Sequence, residues 1–385
     1  MGHYKYIYIV CKCIRYSNVI RYIQVMKAFT LGFGLLLWVQ QVYLCIGLKH
    51  SITTIPSLEN KHILPMYWKI AKGTSITRNP QKFIFNESPL CIYRNNDNKV
   101  IAINDICVHR GASLSQGKIL SNNCLQCPYH GWEYNDGVVE NIPGCPETKM
   151  GTVGVNQFSV CEENGDVYIQ PFQDINTGKG EVYNHSIYVP PEANNLGFTR
   201  ISGSKKISRP ASLVTENVLD MMHVSFVHSF GNTMSPVPFK IMYEDINEYS
   251  GKTIFHYTAG PTSMSALLGN SKFVVVENEF YLPDTTVTRV KANDQLIKTI
   301  ITHCYPIGKN ESILHYDLYR NFMTSSLFDP LFNYQMELTL KEDINILNQL
   351  YEDYNSGIMH TKFDITQLKY RSKKKRIRKS LFTPF

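Results

Sequence analysis

Two short segments of this 385-residue chain each pair a thiol with an imidazole: Cys107-Val108-His109-Arg110-Gly111 and Cys127-Pro128-Tyr129-His130-Gly131-Trp132, with 17 residues between His109 and Cys127. Two loops of this kind can hold either a tetrahedral Zn2+ or a binuclear iron-sulfur cluster with both cysteines on one iron and both histidines on the other. The C-x-H spacing leaves a single residue between donors, which is awkward around one ion but acceptable if Cys107 and His109 serve different irons. Gly111, Pro128, Gly131 and Gly137 would let backbone amides approach the sulfurs.

A second constellation lies about 90 residues on, where Asn217, Asp220, His223 and His228 have the spacing N-x2-D-x2-H-x4-H. Residues five apart on a regular helix are about 140° apart on the wheel, so both imidazoles reach one ion only if the helix ends or bends between them. Gly231-Asn232 is a plausible ending. Two histidines five apart, taken alone, read more readily as ordinary helix residues than as ligands.

The elements that must carry these residues fall into two groups. From about residue 55 to 172 short β-rich runs (Lys82 to Asn86, Leu90 to Arg94, Val100 to Ile103, Val167 to Gln170) alternate with turn clusters such as Asn135-Asp136-Gly137. These predict a small all-β domain. Beyond it, longer strands (Thr253 to Tyr257, Phe273 to Leu282, Thr285 to Val290, Leu296 to Tyr305, Ser312 to Tyr319) stand between helical stretches near 213 to 229 and 330 to 354, which predicts an antiparallel sheet with helices. The whole is α+β, divided as an N-terminal segment 1–54, a β domain 55–172, a second domain 173–360 and a tail 361–385.

The ends differ from the body. The chain carries a net charge of +7, but residues 1–27 hold five basic residues and 369–379 hold eight, with no acid in either, so the remainder is acidic at −6. An acidic body argues against nucleic acid as a partner. Residues 28–48 form an uncharged run between Lys27 and Lys49, long enough to cross a membrane and read as an anchor, a cleaved signal or a buried helix, with Met26 as an alternative start. The tail, with its block RSKKKRIRKS, reads as a disordered solvated end or a polybasic membrane contact whose removal from 369 onward leaves catalysis intact. Ten cysteines are too few for a disulfide-stapled scaffold. No GxGxxG or Walker-type loop offers a nicotinamide, flavin or ATP site, so an electron donor would have to be a partner.

The pattern C-x-H-R-G, 17 residues, then C-P-Y-H-G-W resembles the signature of Rieske [2Fe-2S] proteins, and in particular the Rieske non-haem iron oxygenases. The resemblance covers about residues 55 to 355. It implies a Rieske domain followed by a helix-grip catalytic domain, with Cys107, His109, Cys127 and His130 binding the [2Fe-2S] cluster. It implies that His223 and His228 ligate a mononuclear Fe(II) that activates O2, with a carboxylate from a C-terminal helix completing a facial triad. In Leu340-Lys341-Glu342-Asp343-Ile344 the best match is Asp343, with Glu342 as the fallback.

Asp220, by the same resemblance, links His223 to His130 of a neighbouring subunit in a homotrimer. The family further implies a ferredoxin or flavin-dependent reductase as donor, and mono- or dioxygenation of a lipophilic ring substrate, either a chlorophyll catabolite or a sterol. That in turn suggests a plastid or the endoplasmic reticulum. Met221, Met222, Phe226, Phe230 and Met234 suggest an apolar pocket. The plastid group carries a Cys pair near its C-terminus, whereas the last cysteine here is Cys304. The other reading is a Rieske electron-transfer or redox-sensing protein without mononuclear iron.

Overall fold

The structure is a computed structural model, and it describes residues 66–147, 153–170, 187–259, 272–351 and 359–382. The N-terminal segment and the uncharged run 28–48 lie outside the described residues. No helix among those described is long and apolar enough to cross a membrane.

The first β domain holds ten short strands: β1 (Trp68–Lys72), β2 (Gln81–Phe85), β3 (Ser88–Arg94), β4 (Val100–Asn104), β5 (Lys118–Ile119), β6 (Leu125–Gln126), β7 (Glu133–Asn135), β8 (Val138–Asn141), β9 (Ser159–Glu163) and β10 (Asp166–Gln170). They form three antiparallel sheets ordered β1-β10-β9, β2-β3-β4 and β5-β6-β7-β8. One apolar cluster, including Trp68, Ile92, Ala102 and Ile169, fills the space between the first two sheets. A second gathers Tyr93, Ile103, Leu114, Leu125 and Tyr134 around Cys107 and Cys127. The two thiols therefore sit on top of a core rather than on a free loop.

The second half is one antiparallel sheet of seven strands ordered β11-β17-β16-β15-β14-β13-β12. Its strands are β11 (Thr199–Ile207), β12 (Lys240–Asn247), β13 (Ser250–Thr258), β14 (Phe273–Tyr281), β15 (Thr285–Ala292), β16 (Gln295–Gly308) and β17 (Glu311–Arg320). The pleat sends alternate residues of β17 to opposite faces, and both faces are covered. Leu314, Tyr316 and Leu318 pack beneath α1 (Ala211–Leu219) and α3 (Asp329–Gln349), against Val214, Phe332, Met336 and Leu340. His315 and Asp317 face the first β domain instead. There His315 Nε2 donates to the Ile70 carbonyl at 3.1 Å, and Lys69 Nζ lies 2.6 Å from Asp317 and 2.8 Å from Asp166. Arg200 joins the same buried cluster, and Asn86 and Glu87 N–H groups donate to Pro306 and Ile307 carbonyls. The β domain is thus clamped to the back of the catalytic sheet through paired charges and backbone bonds.

Most strand expectations hold within a few residues, but β11 and β12 had no sequence forecast. The expectation of a disordered tail from 361 is overturned: Lys362–Asp364 form a turn of 3-10 helix, and Ile365–Phe382 form a helix, α4. The Thr361 hydroxyl and the Asp364 carboxylate cap its start reciprocally. Tyr370 and Ile377 are buried against Phe280, Leu282 and Leu219. Three of the eight like charges that argued for disorder are paired with acids of the body: Lys373 with Asp245, Lys374 with Asp284, Arg371 with Glu216.

Candidate metal centres

The two loops of the β domain are built alike. In each, the amide of the residue four after the cysteine donates to the cysteine carbonyl (Gly111 to Cys107 at 2.8 Å, Gly131 to Cys127 at 3.1 Å). In each, the cysteine amide donates to the next carbonyl along, Ala112 or Trp132. Gly111 and Gly131 share φ of 72°, a left-handed conformation that favours glycine. Such tight turns aim the amides of Tyr129 and His130 at the Cys127 sulfur.

Cys107 and Cys127 are buried, and the rings of His109 and His130 lie 4.5 Å apart between centroids. Trp132 stacks on His109 at 4.7 Å. His109 Nδ1 is buried without a hydrogen-bond partner, an orphaned donor atom that an iron ligand bond would satisfy. Burial, which outweighs the backbone donors, pushes the Cys127 thiol up in the absence of a metal. Pairs of buried thiols beside an orphaned imidazole nitrogen fit a [2Fe-2S] cluster.

Sequence reasoning missed Tyr134. Its hydroxyl accepts from the Val108 amide at 3.2 Å and stands 3.0 Å from the Cys107 sulfur, to which it would donate once that sulfur is a deprotonated ligand with no proton of its own. The phenol emerges from the core of the β5-β8 sheet, and only tertiary packing brings it there.

The second constellation resolves the helix problem by breaking the helix twice. α1 stops at Leu219, with Asp220 extended at its C-terminus. One isolated turn follows, α2 (Val224–Val227), with His223 just before it and His228 just after it in an extended conformation. Gly231 closes the turn, and a Cβ there would sit 2.5 Å from the Val224 carbonyl oxygen.

Flanking one turn from opposite ends, both imidazoles face α3. Asp343 lies three residues after Leu340 and four before Leu347, in the stripe that α3 buries on the sheet. Its Oδ1 is 3.2 Å from His223 Nε2 and 3.5 Å from His228 Nε2, and one ligand atom from each of the three residues falls within 4.8 Å of the others. Asp343 Oδ1 is buried without a hydrogen-bond donor. Three convergent donors, two imidazole and one carboxylate, fit a facial triad that leaves positions open on an iron ion.

Glu342, weighed as a substitute ligand, is placed otherwise. Its Oε2 lies 3.0 Å from His228 Nδ1 and its Oε1 accepts from the Ser229 amide at 3.3 Å. A proton held on Nδ1 leaves Nε2 with its lone pair directed at the triad. Asp220 Oδ2 is 3.9 Å from His223 Nδ1, beyond hydrogen-bond reach, while its Oδ1 accepts from the Met222 amide at 2.9 Å. Burial lowers the His223 pKa, but Asp343 and, after it, Asp220 together more than offset it, and the net shift is upward.

The expected apolar pocket is not assembled as a unit. Met221 is core, Met222 is half-buried next to His223, Phe226 and Met234 are 66 % and 82 % exposed, and Phe230 stacks on His228 at 5.0 Å. A separate cleft of about 830 Å3 lies between Trp68, Pro210, Pro306 and the basic face of α4, and none of the metal-centre residues lines it.

Fold and donor sets define an iron-binding protein of two metal-centre domains, and comparison with known proteins gives its class. Residues 68–159 match the Rieske [2Fe-2S] domain, and residues 207–380 match the vanillate O-demethylase oxygenase C-terminal domain, together more than half of the chain. The chain belongs to the Rieske oxygenases, whose cofactors are a [2Fe-2S] cluster and a mononuclear non-haem iron.

Among curated proteins it is 33 % identical over 144 residues to the oxygenase component of dicamba O-demethylase from Stenotrophomonas maltophilia, covering 37 % of this chain and 40 % of that protein. It is 25 % identical over 204 residues to a cholesterol 7-desaturase from Bombyx mori, covering 52 % of this chain and 43 % of that one. These alignments span less than half of each relative's length. The fold is that of dicamba monooxygenase bound to dicamba, at a TM-score of 0.69 and 19 % identity over 82 % of this chain and 98 % of that one.

Proposed function

We propose that this chain is the oxygenase component of a system in which a separate ferredoxin or flavin-dependent reductase supplies electrons and O2 oxidises a lipophilic ring substrate. The observation that carries the reading is the convergence of His223 Nε2, His228 Nε2 and Asp343 Oδ1 behind a domain that matches the Rieske family. When bound, the cluster supplies single electrons and the Fe(II) supplies O2 activation.

The chain's own residues do the rest. Cys107, His109, Cys127 and His130 would hold the cluster. His223, His228 and Asp343 would hold the iron, with Glu342 keeping His228 in the ligating tautomer. Asp220 is one-third exposed beside His223, and Tyr129 next to His130 is 62 % exposed. Two partly open groups of this kind suit the head-to-tail trimer in which Asp220 of one subunit meets His130 of the next. The reading of a sterol or a chlorophyll catabolite as substrate, and of a plastid location, is supported by relatives named as cholesterol 7-desaturase and as chloroplastic pheophorbide a oxygenase.

The test is anaerobic iron analysis and product identification against sterols and porphyrins. His223→Ala should keep the visible spectrum of the cluster and abolish oxidation. Turnover that survives with the mononuclear iron gone would overturn the proposal. His109→Cys should move the spectrum towards a ferredoxin; an unchanged spectrum would remove His109 from the ligand set.

A further inference from the structure

The cleft of about 830 Å3 beside α4 is walled by parts of both domains and holds no metal-centre residue. One wall is α4 itself, where Arg371, Lys374, Lys375 and Arg378 recur at i, i+3, i+4 and i+7 and so share one face of the helix. Other basic residues of α4 are engaged elsewhere: Lys373 Nζ lies 2.7 Å from Asp245, Lys369 covers the Tyr243 ring, and Arg376 donates to the Glu248 carbonyl at 3.1 Å. A second wall is the tip of the β16-β17 hairpin, which carries Lys309. The Asn86 and Glu87 amides hold that tip to the first β domain through the Pro306 and Ile307 carbonyls. Trp68 and Pro210 add apolar surface.

Five cations line this cleft against three acids, Glu87, Glu216 and Asp284. Two of the acids are already engaged: Glu216 pairs with Arg371, and the buried Asp284 lies 2.6 Å from Lys374 Nζ. Lys309 and Lys375 are exposed, and among the described residues no carboxylate forms an ion pair with either. Glu311, two residues after Lys309, is taken by Lys206 at 2.8 Å. The cleft is therefore positive, and its apolar walls concentrate the field of that excess charge. Arg371 and Lys375, like Lys374 and Arg378, are like charges four apart on one helix, a spacing that opposes helix formation. An anion seated against this face would relieve both pairs.

We propose that this cleft binds a phosphate monoester, with Lys309, Lys375 and Arg378 around the phosphate and Trp68, Pro210 and Pro306 beside the rest of the ligand. A phosphate monoester carries a charge of about −1.5 to −2 near pH 7 and three strong acceptor oxygens, which suits three cations supplied by two separate elements. A carboxylate offers one charge and two oxygens. The volume falls in the range of small-ligand sites, about 300 to 1,000 Å3. A soluble phosphorylated compound and a phosphatidate headgroup present the same chemical group to the cleft. Because both domains and α4 line it, a bound phosphate joins all three, and the site acts on stability and placement rather than on the metal centres. It stands apart from the oxygenase reading.

The experiment titrates the iron- and cluster-loaded protein calorimetrically with phenyl phosphate and with benzoate, and sediments it with phosphatidylcholine vesicles prepared with and without phosphatidate. Phenyl phosphate should bind at one site per chain, about five-fold or more tighter than benzoate, and should raise Tm. The double variant Lys309→Gln, Lys375→Gln should weaken it about ten-fold, since each exposed ion pair is worth up to about five-fold. Both side chains are exposed, so circular dichroism, iron content and the cluster spectrum should match the wild type. Lys369→Gln, on another face of α4, should leave phosphate binding unchanged. Vesicle binding that needs phosphatidate and falls in the double variant assigns the group to a lipid headgroup; binding of phenyl phosphate without vesicle binding assigns it to a soluble ligand. No binding of either phosphate, equal binding of benzoate, or equal weakening by Lys369→Gln would overturn the proposal.

Discussion

Glu342 and His228 are joined by a 3.0 Å contact between carboxylate Oε2 and imidazole Nδ1, while the next residue on the helix, Asp343, faces Nε2 of the same ring at 3.5 Å. Consecutive acids of α3 therefore address opposite edges of one imidazole, one at Nδ1, where it would set the tautomer, and the other at Nε2, where it could share a metal with the ring. Glu342→Gln, which can still accept but no longer draws the Nδ1 proton, should weaken iron binding about 10- to 100-fold. Iron titration followed by metal analysis checks this, and a full wild-type iron affinity would show that Glu342 plays no such part.

Asp343→Asn and Asp343→Ala should each remove the mononuclear iron while leaving the cluster's visible bands in place. Glu342→Ala, by contrast, should retain part of the iron. If the effects of the two positions were exchanged, the ligand would be Glu342.

Tyr134→Phe should leave the fold intact, because the ring stays in its core and only the hydroxyl is lost. The Cys107 sulfur then loses one donor and the Val108 amide its acceptor. A donor to sulfur favours the reduced, more negative cluster, so the potential should fall by roughly 20 to 60 mV, corresponding to about 0.5 to 1.5 kcal/mol of hydrogen bond. Spectroelectrochemistry of the cluster band reads this directly.

Deleting residues 365–385 should unfold the catalytic domain rather than release a spare tail. Tyr370 is 1 % exposed, and its hydroxyl bonds the buried Asp284. Tyr370→Ala should cost about 3 to 5 kcal/mol in urea denaturation, the range for emptying a large aromatic site in a core. A variant of wild-type stability would show that α4 contributes little.

The junction between the domains should be acid-labile. Burial, with Lys69 nearby adding to it, holds His315 down at about 4, and Asp317 is held well below the usual carboxylate range by Lys69 and Arg200 despite its burial. The unfolded chain takes up a proton on His315 near pH 6.5, which the folded chain resists until about pH 4, so stability is lost as the pH falls through that window. The loss from this group reaches up to about 3 kcal/mol. His315→Gln should flatten the Tm against pH curve between pH 6.5 and 4 in far-ultraviolet circular dichroism; an unaltered slope would dissociate His315 from the effect.

Much of this protein was legible in its residues. The two Cys-His loops are local: four donors, two left-handed glycines and their spacing are sequence properties, because each turn closes through backbone bonds within five residues. Five of the seven strands of the large sheet, β13 to β17, were legible as β-rich runs, and the need for a break between His223 and His228 follows from helical geometry. Tertiary structure decided the rest. Glu342 and Asp343 are adjacent acids of equal chemical plausibility, and only the packing of α3 on the sheet turns one to Nδ1 and the other to Nε2. The eight basic residues at 369–379 looked solvated because like charges along a chain repel, yet the acids that pair with three of them, Glu216, Asp245 and Asp284, come from three other places in the fold. Charge along a chain is local information, whereas the counter-charge that neutralises it is not.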